Sequence, residues 1–144
     1  MIVFLDTNVL LDVLGERHPH YAAAARLWEE VEKGRLKAAV SAISFNNIYY
    51  ILRKLVGASK AREAMIALNA LFSIVPLDAV VITEAINTEL RDFEDAIQYA
   101  SALRAGADYF VTRDPGDFPE KPLGVIAPGE LVASLESDGG GHPT

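Results

Sequence analysis

Five short apolar runs punctuate this chain, and none of them alternates polar with apolar residues. They are Ile2–Leu5, Ala38–Val40, Phe72–Val75, Tyr109–Val111 and Gly124–Ile126. A strand with one face in water alternates, whereas a strand covered on both faces reads as a continuous apolar run. The segments between the runs are too long for hairpins and suit the helical crossovers that parallel strands require. The pattern predicts an α/β fold, a three-layer α/β/α sandwich around a mostly parallel central sheet of about five strands.

The crossovers carry readable helical stripes. Tyr21, Ala24, Ala25, Trp28 and Val31 lie on one face, and Gly34 ends that segment. Ile48, Ile51, Leu52 and Leu55 form a second stripe closed by Gly57, and Ser59 is placed to cap a third helix that carries Ala61, Ala64, Met65, Leu68 and Leu71. Asp78 is placed to cap a helix around Val81–Leu90, and Asp92 to cap one that carries Ala96, Tyr99, Ala100 and Leu103. Pro128 suits the first turn of a last helix near Glu130–Leu135. The expected domain spans residues 1–136, and 137–144 (SDGGGHPT) have little to bury and are expected to be disordered.

Composition narrows the chemistry. The 144 residues contain no cysteine, which removes disulfides, zinc–thiolate sites and cysteine nucleophiles. The net charge of −7 weighs against nucleic-acid binding through a basic surface. No apolar run approaches the ~18 residues of a membrane span, and the N-terminus lacks the basic flank of a signal peptide, so a cytoplasmic protein without membrane contact is expected. His18, His20 and His142 offer no partner for a nucleophile triad, and there is no Gly-rich phosphate loop.

What remains is acid at strand ends. Parallel sheets bind ligands beyond the carboxyl ends of their strands. Asp6 follows the first run, Ser41 the second and Thr112-Arg113-Asp114 the fourth, while Asp92 and Asp95 open the helix that feeds the fourth. Asp6, Asp95 and Asp114 are thereby expected to converge. Carboxylates gathered in one cleft repel unless a cation joins them. An oxygen-only donor set selects a hard ion, Mg²⁺ or Mn²⁺, suited to activating water and neutralising a phosphoryl oxygen. Competing structural roles stay open. Asp6 also reads as the cap of a helix starting near Thr7, and Asp92 with Asp95 as a capping pair. Asp117 reads as a turn residue beside Pro115-Gly116, and Asp12 as a solvated helix residue. Arg53 and Lys54 read as a solvated face, and Phe45, Tyr49 and Tyr50 as core or a dimer surface.

With these residues in view, the chain from Met1 to about Leu135 resembles the PIN-domain ribonucleases. Val3-Phe4-Leu5-Asp6-Thr7-Asn8-Val9-Leu10-Leu11-Asp12 is similar to that family's opening strand and metal-binding Asp. Asp92-Phe93-Glu94-Asp95-Ala96-Ile97-Gln98 resembles its later acidic motif. Ala107-Asp108-Tyr109-Phe110-Val111-Thr112-Arg113-Asp114, followed by Asp117-Phe118, resembles its closing motif. The short members it most resembles include VapC-type toxins of toxin–antitoxin pairs. The resemblance implies a metal-dependent endoribonuclease, with Asp6, Asp95 and Asp114 as catalytic metal ligands for Mg²⁺ or Mn²⁺. Asn8, Asn47, Asp92, Thr112, Asp117 and Ser41 would support them. RNA is the implied substrate, and a cognate antitoxin and a second copy of the chain are the implied partners.

One position departs from the family. Where a Glu usually stands in the helix after the second strand, this chain has Asn47, within Ser41-Ala42-Ile43-Ser44-Phe45-Asn46-Asn47. An amide offers a carbonyl oxygen to a metal but no charge and no base. Asp117 is the candidate to compensate. The alternative function is a catalytically weakened PIN-like RNA-binding or regulatory module. A phosphotransfer receiver is a further rival, but it needs a Lys after its fifth strand, where this chain has Ala127-Pro128.

Overall fold

The computed structural model describes residues 1–140. Five strands, β1 (Ile2–Leu5), β2 (Lys37–Ser41), β3 (Ser73–Val75), β4 (Tyr109–Val111) and β5 (Gly124–Ile126), form one sheet in the order β3-β2-β1-β4-β5, and every pair is parallel. Between and beyond them run α1 (Thr7–Leu14), α2 (Tyr21–Glu32), α3 (Ala42–Val56), α4 (Ala58–Leu71), α5 (Ala79–Asn87), α6 (Phe93–Arg104) and α7 (Pro128–Gly140). This is the three-layer sandwich expected from the unalternating runs.

The period-2 geometry of a strand sends successive side chains to opposite faces. Val3 and Leu5 join Ala38, Val40 and Val111 against Val9, Leu10, Leu27, Ile48, Leu68 and Leu131, so α1, α2, α3, α4 and α7 cover one face. Phe4, Ala39, Val75 and Phe110 point the other way, onto Tyr99 and Ala102 of α6. Val81 and Ala85 of α5 then close over Ala96, Ile97 and Ala100 of α6. Phe4 and Phe110 stack across the β1–β4 pair with centroids 5.5 Å apart, and Phe118 leans on Phe110 at 4.5 Å.

Three details differ from the helical pattern read along the chain. Gly57, and not Ser59, caps α4, and no side chain takes part. Its φ of +89° with ψ of 165° is a conformation essentially restricted to glycine, and it lets α4 turn straight back from α3. Helix α5 ends at Asn87, before Leu90, and Leu90 instead packs beside the core clusters under α6. Helix α7 continues past Leu135 to Gly140, through the first part of the segment expected to be tail; residues 141–144 lie outside the described residues. Asp78 and Asp92 do cap α5 and α6, accepting from the backbone N–H groups of Val81 and Asp95 at 3.0 Å each.

Phe110 has no exposed surface and touches three aromatic rings. Phe110→Ala is expected to cost about 3–5 kcal/mol of unfolding free energy, read as a lowered urea midpoint at unchanged slope.

Candidate functional site

The strand order places the two halves of the chain on either side of a switch point. From β1 the chain steps to β2 and β3 on one side, and it returns to β4 and β5 on the other. The gap beyond the carboxyl ends of β1 and β4 is where open parallel sheets hold ligands. Asp6 and Thr112, each one residue past its strand, stand there, and the Thr112 hydroxyl donates to Asp6 Oδ2 at 2.8 Å. Asp6 is nearly fully buried. It is also the N-cap of α1, with Oδ1 accepting from the Asn8 backbone N–H at 3.5 Å. Burial raises the Asp6 carboxyl above the ordinary range, offset by the Thr112 hydroxyl, the Asn8 N–H, Gln98 and the charge of Arg113.

Helix α6 aims its first turn at this gap. Asp6, Asn8, Asn46, Asn47, Asp92, Glu94 and Asp95 line a cleft of about 600 Å³, with Thr7, Leu11, Tyr50, Ile51 and Gln98 completing its wall. The Asp95 carboxyl is pushed up to about 7, first by burial and then by the charges of Asp6, Asp92, Glu94 and Asp117. Glu94 is raised by burial and by Asp92 and Asp6, with the Asn47 amide and the Thr7 hydroxyl partly offsetting the rise. Both carboxyls are thus raised first by burial and further by negative neighbours.

The expected residues divide as follows. Asp6, Asn8, Asn47, Asp92 and Asp95 meet in the cleft. Asp92 both caps α6 and lines the wall, so its two readings hold together. Thr112 holds Asp6, and its hydroxyl also accepts from the Asp114 backbone N–H at 3.3 Å. Asp114 itself is exposed at the entry to a 3₁₀ turn, Pro115–Asp117, and does not line the cleft. Asp117 is the member of that segment whose charge reaches Asp95, across an adjoining hollow that both share with Asp92. Ser41 is buried and caps α3, accepting from the Ile43 N–H at 3.2 Å. Phe45 and Tyr49 pack on the core, while Tyr50 is 61% exposed at the cleft wall.

Three participants escaped sequence reasoning. Glu94 lies between two acids already assigned to caps and ligands. Gln98 is 1% exposed, and its side-chain oxygen accepts from the Thr7 N–H at 2.8 Å, satisfying a free donor at the start of α1. Its position, one turn along from Glu94 inside an apolar stripe, was the available signal. Asp12, expected to be solvated, is fully buried because Arg17 and Arg113 both reach its carboxylate.

The donor set fits a hard divalent cation: every charged donor in the cleft is a carboxylate oxygen, and the pressure on Asp95 and Glu94 is what a cation would relieve. As the side chains stand, no three His, Asp or Glu among the described residues are close enough to hold one ion. Asp6, Asp95, Glu94 and the Asn47 carbonyl are the groups that would share it.

Comparison with solved structures returns the same architecture. VapBC2 from Rickettsia felis, bound to a DNA fragment from its promoter, matches with a TM-score of 0.66 at 16% identity, covering 88% of this chain and 98% of that one. A toxin–antitoxin complex from Klebsiella pneumoniae matches with a TM-score of 0.64 at 22% identity, covering 88% and 97%. VapC20 of Mycobacterium tuberculosis, a toxin that cleaves the sarcin-ricin loop, matches with a TM-score of 0.61 at 16% identity, covering 83% and 91%. No curated protein matches the chain. The profile of the PIN domain matches residues 2–115, from the opening residue of β1 through the acidic cleft to the segment after β4, and on that match the chain belongs to the PIN-domain family.

Proposed function

We propose that this protein is a metal-dependent endoribonuclease and the toxin of a toxin–antitoxin pair. The observation that carries the reading is the gathering of Asp6, Asp92, Glu94 and Asp95 in one cleft at the switch point of a PIN fold. Its similarity to structures described as toxins, toxin–antitoxin complexes and a sarcin-ricin-loop-cleaving toxin supports RNA as substrate and an antitoxin as partner. Mg²⁺ or Mn²⁺ is the cofactor the donor set suits, and a second copy of the chain remains the expected partner in the assembly.

The chemistry asked of the ion is to activate water and to offset charge on the scissile phosphate. The chain's own work is placement. Thr112 holds one oxygen of Asp6 and the Asn8 N–H holds the other, which fixes the plane of the carboxylate. The Asp92 cap and the Gln98–Thr7 bond fix the first turn of α6 against the start of α1, and so Asp95 against Asp6. Tyr50 and Ile51 give the cleft an apolar wall.

Asn47 bears directly on activity. Glu94 lines the cleft with Asn47, whose amide acts on its carboxyl, and in this reading it is the acid that stands in for the family's usual Glu. Replacing Asp95 by Asn is expected to lower Mn²⁺-dependent cleavage of RNA by more than ~100-fold, beyond the 10–100-fold typical of groups that only support a ligand. Glu94→Gln is expected to fall at least tenfold, on the same scale. If wild type is inactive and Asn47→Glu alone restores cleavage, the protein is the weakened RNA-binding module instead.

The Asp95 shift also makes a prediction without any metal. A carboxyl raised in the folded state binds its proton more tightly there than in the unfolded chain, so its contribution to stability falls as pH rises from about 4 toward 7. Thermal midpoints in chelator are expected to fall over that window relative to Asp95→Asn, which lacks the titrating group. Added Mn²⁺ is expected to raise the wild-type midpoint above pH 7 and to leave that of Asp95→Asn nearly unchanged.

A further inference from the structure

Beside the acids, two arginines converge on one buried carboxylate. The side chain of Asp12, in the last turns of α1, has no exposed surface. Arg17 Nε, from the loop after α1, donates to Asp12 Oδ1 at 2.9 Å. Arg113 Nε, from the segment after β4, stands 3.2 Å from Asp12 Oδ2. A single arginine would neutralise Asp12, so the second leaves one net positive charge next to an acidic cleft.

Arg17 reaches further. Its Nη2 donates at 3.2 Å both to the Asn8 backbone carbonyl and to the Asn8 side-chain oxygen. Asn8 lines the cleft next to Asp6, and its own backbone N–H holds Asp6 Oδ1. With the amide oxygen committed to Arg17, the Asn8 NH₂ group is left with two donors. Ionised Asp6, Asp92, Glu94 and Asp95 can only accept, so a phosphate oxygen entering the cleft depends on such neutral donors.

We propose that Asp12 and Arg17 are positioning residues. The buried Asp12 carboxylate fixes the Arg17 fork, the fork fixes the Asn8 amide, and the amide presents its NH₂ to a phosphodiester oxygen in the cleft. Arg113 pairs by charge with the other oxygen of the same carboxylate, without a hydrogen bond, and so sets the segment after β4 beside α1. The phosphodiester as ligand rests on the ribonuclease reading; the control of the Asn8 amide by Arg17 does not.

The test separates the two. Arg17 is 36% exposed, and Arg17→Met keeps its apolar stem while Arg113 stays 3.2 Å from Asp12 Oδ2 to offset the buried charge. Side-chain amide ¹⁵N relaxation of Asn8, identified by its loss in Asn8→Ala, is expected to report an ordered amide in wild type and an order parameter below ~0.6, the flexible range, in Arg17→Met. Arg17→Met and Asn8→Ala are each expected to lower kcat for Mn²⁺-dependent RNA cleavage by about tenfold, with KM little changed. The double variant is expected to lose no more than either single one, because both remove the same contact. Arg17→Lys, which keeps the charge but lacks the fork, is expected to stay impaired. An Asn8 amide equally ordered in Arg17→Met, or losses that multiply in the double variant, overturns the proposal. If wild type binds Mn²⁺ and cuts no RNA, the ribonuclease reading fails alone, and the ordering of the Asn8 amide still decides whether Arg17 positions it.

Discussion

The hydrogen bond from the Thr112 hydroxyl to Asp6 Oδ2 joins the ends of the two central strands. A nearly buried carboxylate is costly unless its oxygens are engaged, and each oxygen of Asp6 has a partner, Thr112 on one side and the Asn8 N–H on the other. The Asp6 backbone N–H extends the sheet by donating to the Val111 carbonyl at 3.0 Å. A single residue therefore ends β1, caps α1, locks β1 to β4 and places a charge at the mouth of the switch point. The geometry of the remaining acids is measured from it.

That arrangement concentrates negative charge with only partial local compensation. Arg17 and Arg113 are engaged by Asp12, and the charge of Arg113 offsets only part of the rise at Asp6. Helix α6 brings three acids in its cap and first turn, where the positive end of the helix dipole favours them. The dipole and the caps hold the acids in place, but they do not remove their mutual repulsion, which adds to burial in raising the Asp95 and Glu94 carboxyls. The overall charge of −7 is thus partly a local property of one cleft, and it argues less against nucleic acid than a dispersed acidic surface would.

Much of the scaffold was legible along the chain because its signals are local. Unalternating apolar runs mark strands covered on both faces, and all five lie within a residue or two of their predicted positions. Asp78 and Asp92 cap helices because their short side chains reach the next turn's N–H groups, and that requires no knowledge of the fold. Ser59 carried the same signal and failed, because the glycine before it could adopt a backbone conformation that closes the α3–α4 turn more tightly. Asp12 looked solvated because nothing within its own helix pairs with it. Its partners come from the following loop and from a segment about a hundred residues away.

The amino-acid sequence by itself determined the layer architecture, the strand-end placement of Asp6 and Thr112, and the opening of α6 with acids, since each follows from periodicity and capping within a few residues. Only the tertiary structure decided the strand order and with it the switch point. It also decided that Glu94 and Gln98 share the cleft while the Asp114 side chain stays outside it, and that Asp117 is the acid whose charge reaches Asp95. The physical reason is the range of the forces involved. Backbone hydrogen bonding and apolar periodicity act over a turn or a strand, whereas desolvation and Coulomb repulsion between carboxylates exist only once distant segments have packed around the same cleft.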